Sequence, residues 1–341
     1  MKTRLKVPIY PAHAALADPR ENRLDAAQPA EGWGRAALLA GILCLVGAAC
    51  GAEPAPKVKV ALTFDDLPLN GALPAGHKQS ELARDTLAVL KEQHVPPSYG
   101  FINAEKLERN PDGALALKLW IAAGQQLGNH TYSHIDLAKN SAEAFEREVL
   151  RNEPALALAM PESAKHDWHW LRYPYLHEGD TLEKRRAVRA FLENNGYRIA
   201  QTTLEYEDYM WNSAHVRCVE KQDAAAIQWL RESYLATADE WLRAERDAAR
   251  TVFGRDINHV LLLHLGSFSP YILPDLLALL DRQGYEIVTL EEAQRDPVYN
   301  IDPDVAAPYG GTLTQLVMKA KGMKYPSITP KPREKLAKIC Q

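Results

Sequence analysis

From Lys57 onward the chain alternates between two hydrophobic patterns. Short apolar runs rich in β-branched residues are separated by longer stretches with apolar positions at helical spacing. Lys57–Phe64 (KVKVALTF), Ser98–Ile102, Gln126–Asn129, Trp168–Arg172, Tyr197–Thr203, His259–His264 (HVLLLH) and Tyr285–Val288 read as strands. Between them, Ser80–Gln93 places Leu82, Leu87 and Leu90 on one helical face, and Ala114–Ala123 is helical. Ser141–Arg151 has Ser141 as its N-cap, and Thr181–Asn194 is a charged amphipathic helix. Asp223–Arg250 is long enough for two helices, and Pro274–Gln283 is a helix ended by Gly284. Seven strands, each followed by a helix or a long loop, predict a parallel sheet with helices outside, as a barrel or a doubly wound sheet. Residues 300–341, with Pro303, Pro308, Pro326, Pro330 and Pro332, predict an irregular tail. There is no internal repeat and no low-complexity segment.

Ala36–Cys50 (AALLAGILCLVGAAC) carries no charge, follows Arg35 and ends in small residues. That is the pattern of an export signal. A bilayer-spanning helix needs about 20 residues, more than this run offers. Cleavage is expected near Ala49 or Ala52. Gly47-Ala48-Ala49-Cys50 also resembles a lipobox, which would make Cys50 a lipidated membrane anchor. A buried core helix is the alternative. The polar leader before the run is unusually long for a signal peptide, so translation is expected to start downstream of Met1. The expected destination is the periplasm or cell envelope.

Composition narrows the picture. The 341 residues leave room for one large α/β domain, and 46% hydrophobic with 25% charged residues is ordinary for a globular chain. The first 50 residues hold six Lys/Arg and four Asp/Glu, leaving 34 basic and 40 acidic side chains in the rest, a net of −6. No basic run or patch suggests nucleic-acid binding. Outside the export segment the cysteines are Cys218 and Cys340, which either pair in an oxidising compartment and tether the tail or remain structural thiols.

The polar residues that stand out fall just after strands. Asp65-Asp66 follow the first, His130 and His134 the third, and Arg172 ends the fourth, while His264 ends the sixth. In parallel α/β folds the loops at these carboxyl ends converge on one mouth, where sites are built. HTYSH at 130–134 puts two imidazoles at i and i+4, which share a face if the segment is a helical turn. Chance alone gives such a pair about 0.35 times in a chain with this many histidines, so the spacing needs support. TFDD at 63–66 gives that support. Two ionised carboxylates in a dry cleft repel, and a divalent cation would relieve one and free the other as a base. Two His and one carboxylate leave a coordination position open, as catalytic zinc sites do. In RYPY at 172–175, Pro174 stiffens the turn that presents the Tyr175 N–H, a candidate oxyanion donor. His264, after VLLL, could protonate a leaving amine or serve as a buried structural histidine.

The ordered set TFDD, HxxxH, RxPY and late LLLHxG resembles the polysaccharide deacetylases of the NodB-homology type (carbohydrate esterase family 4), over roughly residues 57–290. The resemblance implies a distorted (β/α)7 barrel with an irregular C-terminal tail. It also implies hydrolysis of N-acetyl groups from glycans containing N-acetylglucosamine. By the same resemblance Asp65 is the catalytic base, and Asp66, His130 and His134 bind one divalent metal ion. Arg172 positions the base, the Tyr175 N–H serves the oxyanion, and His264 is the general acid. Zinc is the expected metal, and cobalt, nickel or manganese also suit an Asp/His/His set.

The segment before the last motif, Glu205 to Trp211, departs from the family's usual Asp-x-x-Asp-Trp. Glu205 is then expected to tune His264 and Tyr209 to line the pocket. Asp208, Trp211 and His177 are further candidates for contacts to substrate or to the catalytic groups. Tyr173, Tyr175 and Trp211 are expected to stack on sugars. Trp168 and Trp170 are expected to be packing residues, and His166, His169, His215 and His259 structural or surface ones. The expected organisation is an extension with signal peptide over 1–52, a linker over 53–57, and a catalytic domain over 58–298. That domain carries a helical insertion at about 223–250, and a C-terminal extension covers 299–341. A small-molecule amidase and a non-catalytic glycan-binding protein are the competing readings.

Overall fold

Strand β1 (Val58–Leu67) organises the protein: every position but Lys59 is buried. The computed structural model describes residues 57–160 and 168–341. The expected export signal at Ala36–Cys50 and His166 lie outside the described residues. The other strands are β2 (Tyr99–Ile102), β3 (Gln126–Asn129), β4 (Trp170–Leu171), β5 (Arg198–Ile199), β6 (His259–His264) and β7 (Tyr285–Val288). All pair in parallel, in the order β5-β4-β3-β2-β1-β6, with β7 on β1.

β6 occupies one edge of β1 from Val60 to Asp65, so β2 and β7 must share the other edge. β7 takes its first half and β2 its second. Beyond β5 the chain crosses back toward β6. The Ala200 N–H donates to Leu171 O (2.8 Å), and the Leu262 N–H donates to Leu204 O (3.0 Å). Leu204 bridges Leu261. The sheet therefore closes on itself into a distorted barrel, one of the two architectures that the βα alternation left open and the one that the resemblance implies.

Among the described residues, eleven α-helices follow in chain order: α1 (Gln79–Glu92), α2 (Glu105–Arg109), α3 (Asp112–Ala122), α4 (Ala142–Ala159), α5 (Leu182–Asn194), α6 (Met210–Glu220), α7 (Ala224–Phe253), α8 (Ser269–Arg282), α9 (Leu290–Ala293), α10 (Leu313–Ala320) and α11 (Arg333–Lys338). Leu82, Leu87 and Leu90 of α1 are buried, as their spacing predicts, each burial stabilising by about 1.5–3 kcal/mol. α4 continues past Arg151 through Pro154, where local rules would stop it.

The expected pair of helices at 223–250 is one helix of 30 residues. Asp223 caps its start by accepting from the Ala226 N–H, and Gly254 ends it in the left-handed conformation (φ 76°). Leu230, Tyr234, Ala238, Leu242, Glu245 and Ala249 keep one buried stripe without a break, so nothing divides it. No described helix is long and apolar enough to cross a membrane.

The C-terminal segment is irregular over much of its length, yet it carries α10 and α11, which the sequence reading had not resolved. α10 packs on α7 and α11 on α6. Cys218 and Cys340 are joined in a disulfide across a separation of 122 residues. Closing a loop of that size restricts the unfolded chain by up to about 5 kcal/mol in the chain-entropy model. Cys218→Ser is accordingly expected to lower the melting temperature by several degrees under oxidising conditions. A melting curve superimposable on the wild type would show that the bond contributes nothing.

Candidate active site

The register of β1 against β2 shifts between Phe64 and Leu67, and Asp66 there has a left-handed backbone (φ 67°). Strict strand alternation would send Asp65 and Asp66 to opposite faces. The irregularity lets both line one cleft. The cleft, of about 590 Å³, opens at the carboxyl ends of the strands and also holds His130, His134, Tyr175, His177, Glu205, Tyr209 and His264.

His130 and His134 do not sit on a helical turn, contrary to the expectation for HTYSH. They belong to a loop after β3 in which Thr131 (φ 63°) and His134 (φ 61°) are left-handed. The loop brings the rings to 4.8 Å between centroids. Three buried asparagines hold it there. Asn103 donates to His130 O (2.7 Å) and Thr131 O (3.1 Å), Asn129 accepts from the Thr131 N–H (2.9 Å), and Asn152 donates to Asn129 (2.9 Å). The sequence reading missed all three, although Asn103 and Asn129 also sit at strand ends. Among the described residues, five of the ten left-handed non-glycine positions, namely Asp66, His134, Tyr175, Leu176 and Glu207, line this cleft. Backbone strain of this kind persists where the surroundings enforce it, and it clusters at functional sites.

Asp66, His130 and His134 fit a cation. Their donor atoms lie within 4.8 Å of one another. Asp66 Oδ1 is 3.4 Å from His134 Nε2 and 3.9 Å from His130 Nε2. Ligand atoms about 2.0–2.1 Å from a tetrahedral zinc lie about 3.3–3.4 Å apart. His130 Nδ1 meets Arg172 O at 2.7 Å, so Nδ1 carries the proton and Nε2 presents its lone pair. Burial lowers the pKa of both imidazoles, which favours the neutral, ligating form. Burial alone would raise Asp66, but the Lys106 ammonium, 3.2 Å from Oδ1, and the imidazoles of His134, His130 and His264 together outweigh it and hold the carboxyl well below the ordinary range. Asn70 donates to Oδ2 (2.7 Å).

Asp65 is buried, and Arg172 Nη1 lies 3.1 and 3.2 Å from its two oxygens. Arg172 is 1% exposed and is fixed by donating to Thr63 Oγ1 (3.0 Å) and Ala200 O (2.7 Å). Burial pushes Asp65 up to about 6 against the pull of Arg172 and His264. A carboxylate at that value is well matched to taking a proton near neutral pH.

The carboxylate beside His264 is Asp208, not Glu205 as expected. Asp208 Oδ1 accepts from His264 Nδ1 (2.7 Å), and Oδ2 accepts from the His264 backbone N–H (2.8 Å). Glu205 lines the cleft, but its Oε2 accepts from the Glu207 N–H (3.0 Å). Burial would lower His264, yet the charge and hydrogen bond of Asp208, with Asp66 and Asp65 beyond, lift it to about 9. Tyr209 stands edge-on to the His264 ring at 5.1 Å.

Trp211 and Tyr173 are not where sugar-stacking would need them. Trp211 is fully buried, donates Nε1–H to Ser233 Oγ (3.0 Å) and packs edge-on against Tyr234 of α7. Tyr173 is buried and stacks on Phe145. Tyr175 follows in the turn and is exposed, with its ring 4.4 Å from that of His134. His177 is held by Asp136 (Nδ1–Oδ1 2.8 Å) at the rim. Trp170, His215 and His259 are buried, and Trp168 is partly buried. Tyr309, Gly310, Gly311 and Gln315, all from the C-terminal segment, complete the lining; no motif in the sequence pointed to them.

A closed parallel barrel with paired carboxylates, two neutral imidazoles and one charged imidazole at its strand ends is the arrangement that the motif order implies. The polysaccharide deacetylase family model matches residues 52–200 of the chain. A peptidoglycan-N-acetylglucosamine deacetylase of Bacillus cereus is 29% identical over 161 residues, covering 47% of this chain and 50% of that protein. A chitooligosaccharide deacetylase of Sinorhizobium fredii is 32% identical over 117 residues, covering 34% of this chain and 46% of that protein. The chain thus spans about half the length of these curated relatives. The solved chitin deacetylase of the fungal pathogen Colletotrichum lindemuthianum is 21% identical with a TM-score of 0.49, covering 70% of this chain and 88% of that one.

Proposed function

We propose that this protein is a metal-dependent N-deacetylase that releases acetate from glycans containing N-acetylglucosamine. The observation that carries the reading is the division of labour between neighbouring carboxylates. Asp66 lies near both imidazole nitrogens, 3.4 Å from His134 and 3.9 Å from His130, while Asp65, 3.8 Å from His130 alone, is hydrogen-bonded by Arg172 through both oxygens. A divalent ion held by Asp66, His130 and His134, with zinc the first choice and cobalt, nickel or manganese also suited to the donor set, would supply Lewis-acid polarisation of the acetamide and a more acidic water.

The chain's own groups do the rest. Asp65 takes a proton from the attacking water, and Arg172 fixes the carboxylate in place. The Tyr175 N–H donates to the oxygen that becomes negative. His264, protonated and oriented by Asp208, delivers a proton from Nε2 to the sugar nitrogen as the C–N bond breaks. One water is consumed, and acetate and a free amine result.

The deacetylases among the relatives act, by name, on peptidoglycan and chitooligosaccharides, which makes these the first substrates to test. We place the protein in the periplasm or cell envelope. The export-signal pattern of Ala36–Cys50, whose lipobox-like end offers Cys50 as a lipid anchor, supports this, and so does a disulfide of a kind that persists in oxidising compartments. The test is an acetate-release screen across N-acetylglucosamine oligomers, peptidoglycan and chitin fragments with zinc supplied. Ammonia release from small amides without acetate from any glycan would indicate an amidase instead. Glycan binding without release of either would indicate a non-catalytic binder.

A further inference from the structure

Among the phenylalanine, tyrosine and tryptophan side chains of the described residues, only Tyr175, Tyr209 and Tyr309 are exposed. All three line the one cleft. Exposed aromatics scattered singly need no explanation, but their convergence on one cleft marks a binding surface. Tyr309 is the extreme case at 94% exposure, and it comes from the C-terminal segment, outside the motifs and the matched region.

The turn that presents Tyr309 is pinned at both ends. The Ala307 N–H donates to Gly179 O (2.8 Å), and the Leu313 N–H donates to Thr202 O (2.8 Å). Gln315 then donates to the buried Glu245 (2.9 Å). Between these anchors, Gly310 (φ 73°) and Gly311 (φ 134°) take conformations that disfavour any side chain. A Cβ at Gly310 would lie 2.5 Å from Tyr175 O and 3.3 Å from His177 Cδ2. The segment is therefore seated on the RYPY turn itself, beside the candidate metal ligands. An exposed ring on a fixed turn loses little freedom on binding and presents an apolar face with a polar tip. Sugar rings carry a matching face of C–H groups, and Gln315, His177 and Glu205 around the cleft can meet hydroxyls.

We propose that Tyr309 is the stacking platform for a sugar next to the one being deacetylated, so that residues 307–315 form a specificity-determining glycan subsite. This rests on the deacetylase reading. It makes the substrate an oligosaccharide of at least two units rather than a single sugar.

The test uses zinc-loaded protein with Asp65→Asn, which holds substrate without turning it over. Affinities for N-acetylglucosamine and its tetramer are measured by calorimetry. Tyr309→Ala is expected to lower the tetramer-to-monomer affinity ratio about tenfold, and Tyr309→Phe to retain it, because the ring and not the hydroxyl carries the contact. Gly310→Ala, which pushes the turn off Tyr175, is expected to lower the ratio as Tyr309→Ala does. A ratio within twofold of the parent in Tyr309→Ala, with an unchanged melting temperature, overturns the subsite. Acetate release by the wild-type protein is run beside it. If release occurs and the ratio does not move, only the role of Tyr309 fails. If the wild type neither binds nor deacetylates any oligomer, the deacetylase reading fails and the subsite with it.

Discussion

Asp65→Asn is expected to reduce kcat for acetate release about 10³-fold while the protein keeps its metal. The amide is nearly isosteric with the carboxylate and leaves an oxygen for Arg172, but it cannot accept the proton that general-base catalysis moves, a step worth about 10²–10⁴-fold. It also leaves the Arg172 guanidinium, 1% exposed, facing a neutral partner. Breaking a buried pair destabilises by about 3–5 kcal/mol, so the melting temperature should fall as well. Rates are therefore read at a temperature where the variant is folded. His134→Ala is the contrast: it should lose both activity and bound metal, because it removes one of three donors and leaves the base in place. Full activity in metal-loaded Asp65→Asn would rule out the assignment of the base.

Asp208→Asn is expected to move the alkaline limb of the pH–rate profile to lower pH. Activity through a general acid persists below its pKa and is lost as pH rises through it. Burial pulls His264 down, and it stands at about 9 because the Asp208 charge and hydrogen bond, with the charges of Asp66 and Asp65 beyond, more than offset that pull. Without the charge the imidazole should titrate near or below its ordinary value of about 6.5. At pH 8.5 the protonated fraction then falls about 10²-fold, whereas below pH 6 the effect of titration is small. A limb that stays where it is, with only the plateau lowered, would mean that Asp208 orients His264 without setting its charge.

What the sequence could and could not disclose follows from the reach of each interaction. Asp65, Asp66, His130, Arg172 and His264 were readable because parallel strands put their carboxyl ends together, and a polar residue after an apolar run marks such an end. The spacing of His130 and His134 was read correctly as a pair and incorrectly as a helical turn. A loop with two left-handed residues, held by Asn103, Asn129 and Asn152, achieves the same approach, and no periodicity encodes it. The choice between Glu205 and Asp208 turned on where α6 begins, a boundary that local pattern leaves loose by a few residues. Trp211 was expected in the cleft, but α7 covers it, and that contact joins residues 22 positions apart through a helix whose placement no motif signals. The contact of Gly310 with Tyr175 spans a still greater separation and left no trace in either neighbourhood.

The single helix α7 has a further consequence. One flank carries Glu240, which accepts from the Thr329 N–H (3.0 Å), Glu245, which receives Gln315, and Trp241, whose ring lies 3.6 Å from Lys331 Nζ. Trp229 does the same for Lys335 at 3.9 Å, and Val252 O accepts from Lys321 (3.0 Å). The helix is thus a mast to which the C-terminal segment is rigged along most of its length. The segment has little else to hold it in place, whereas the helix is also anchored in the barrel core through Leu230, Tyr234, Ala238 and Leu242. A barrel that lost the helix would shed the segment and with it one bank of the cleft, and a graft meant to transfer that bank to another barrel would have to carry helix and segment together as a single inherited module.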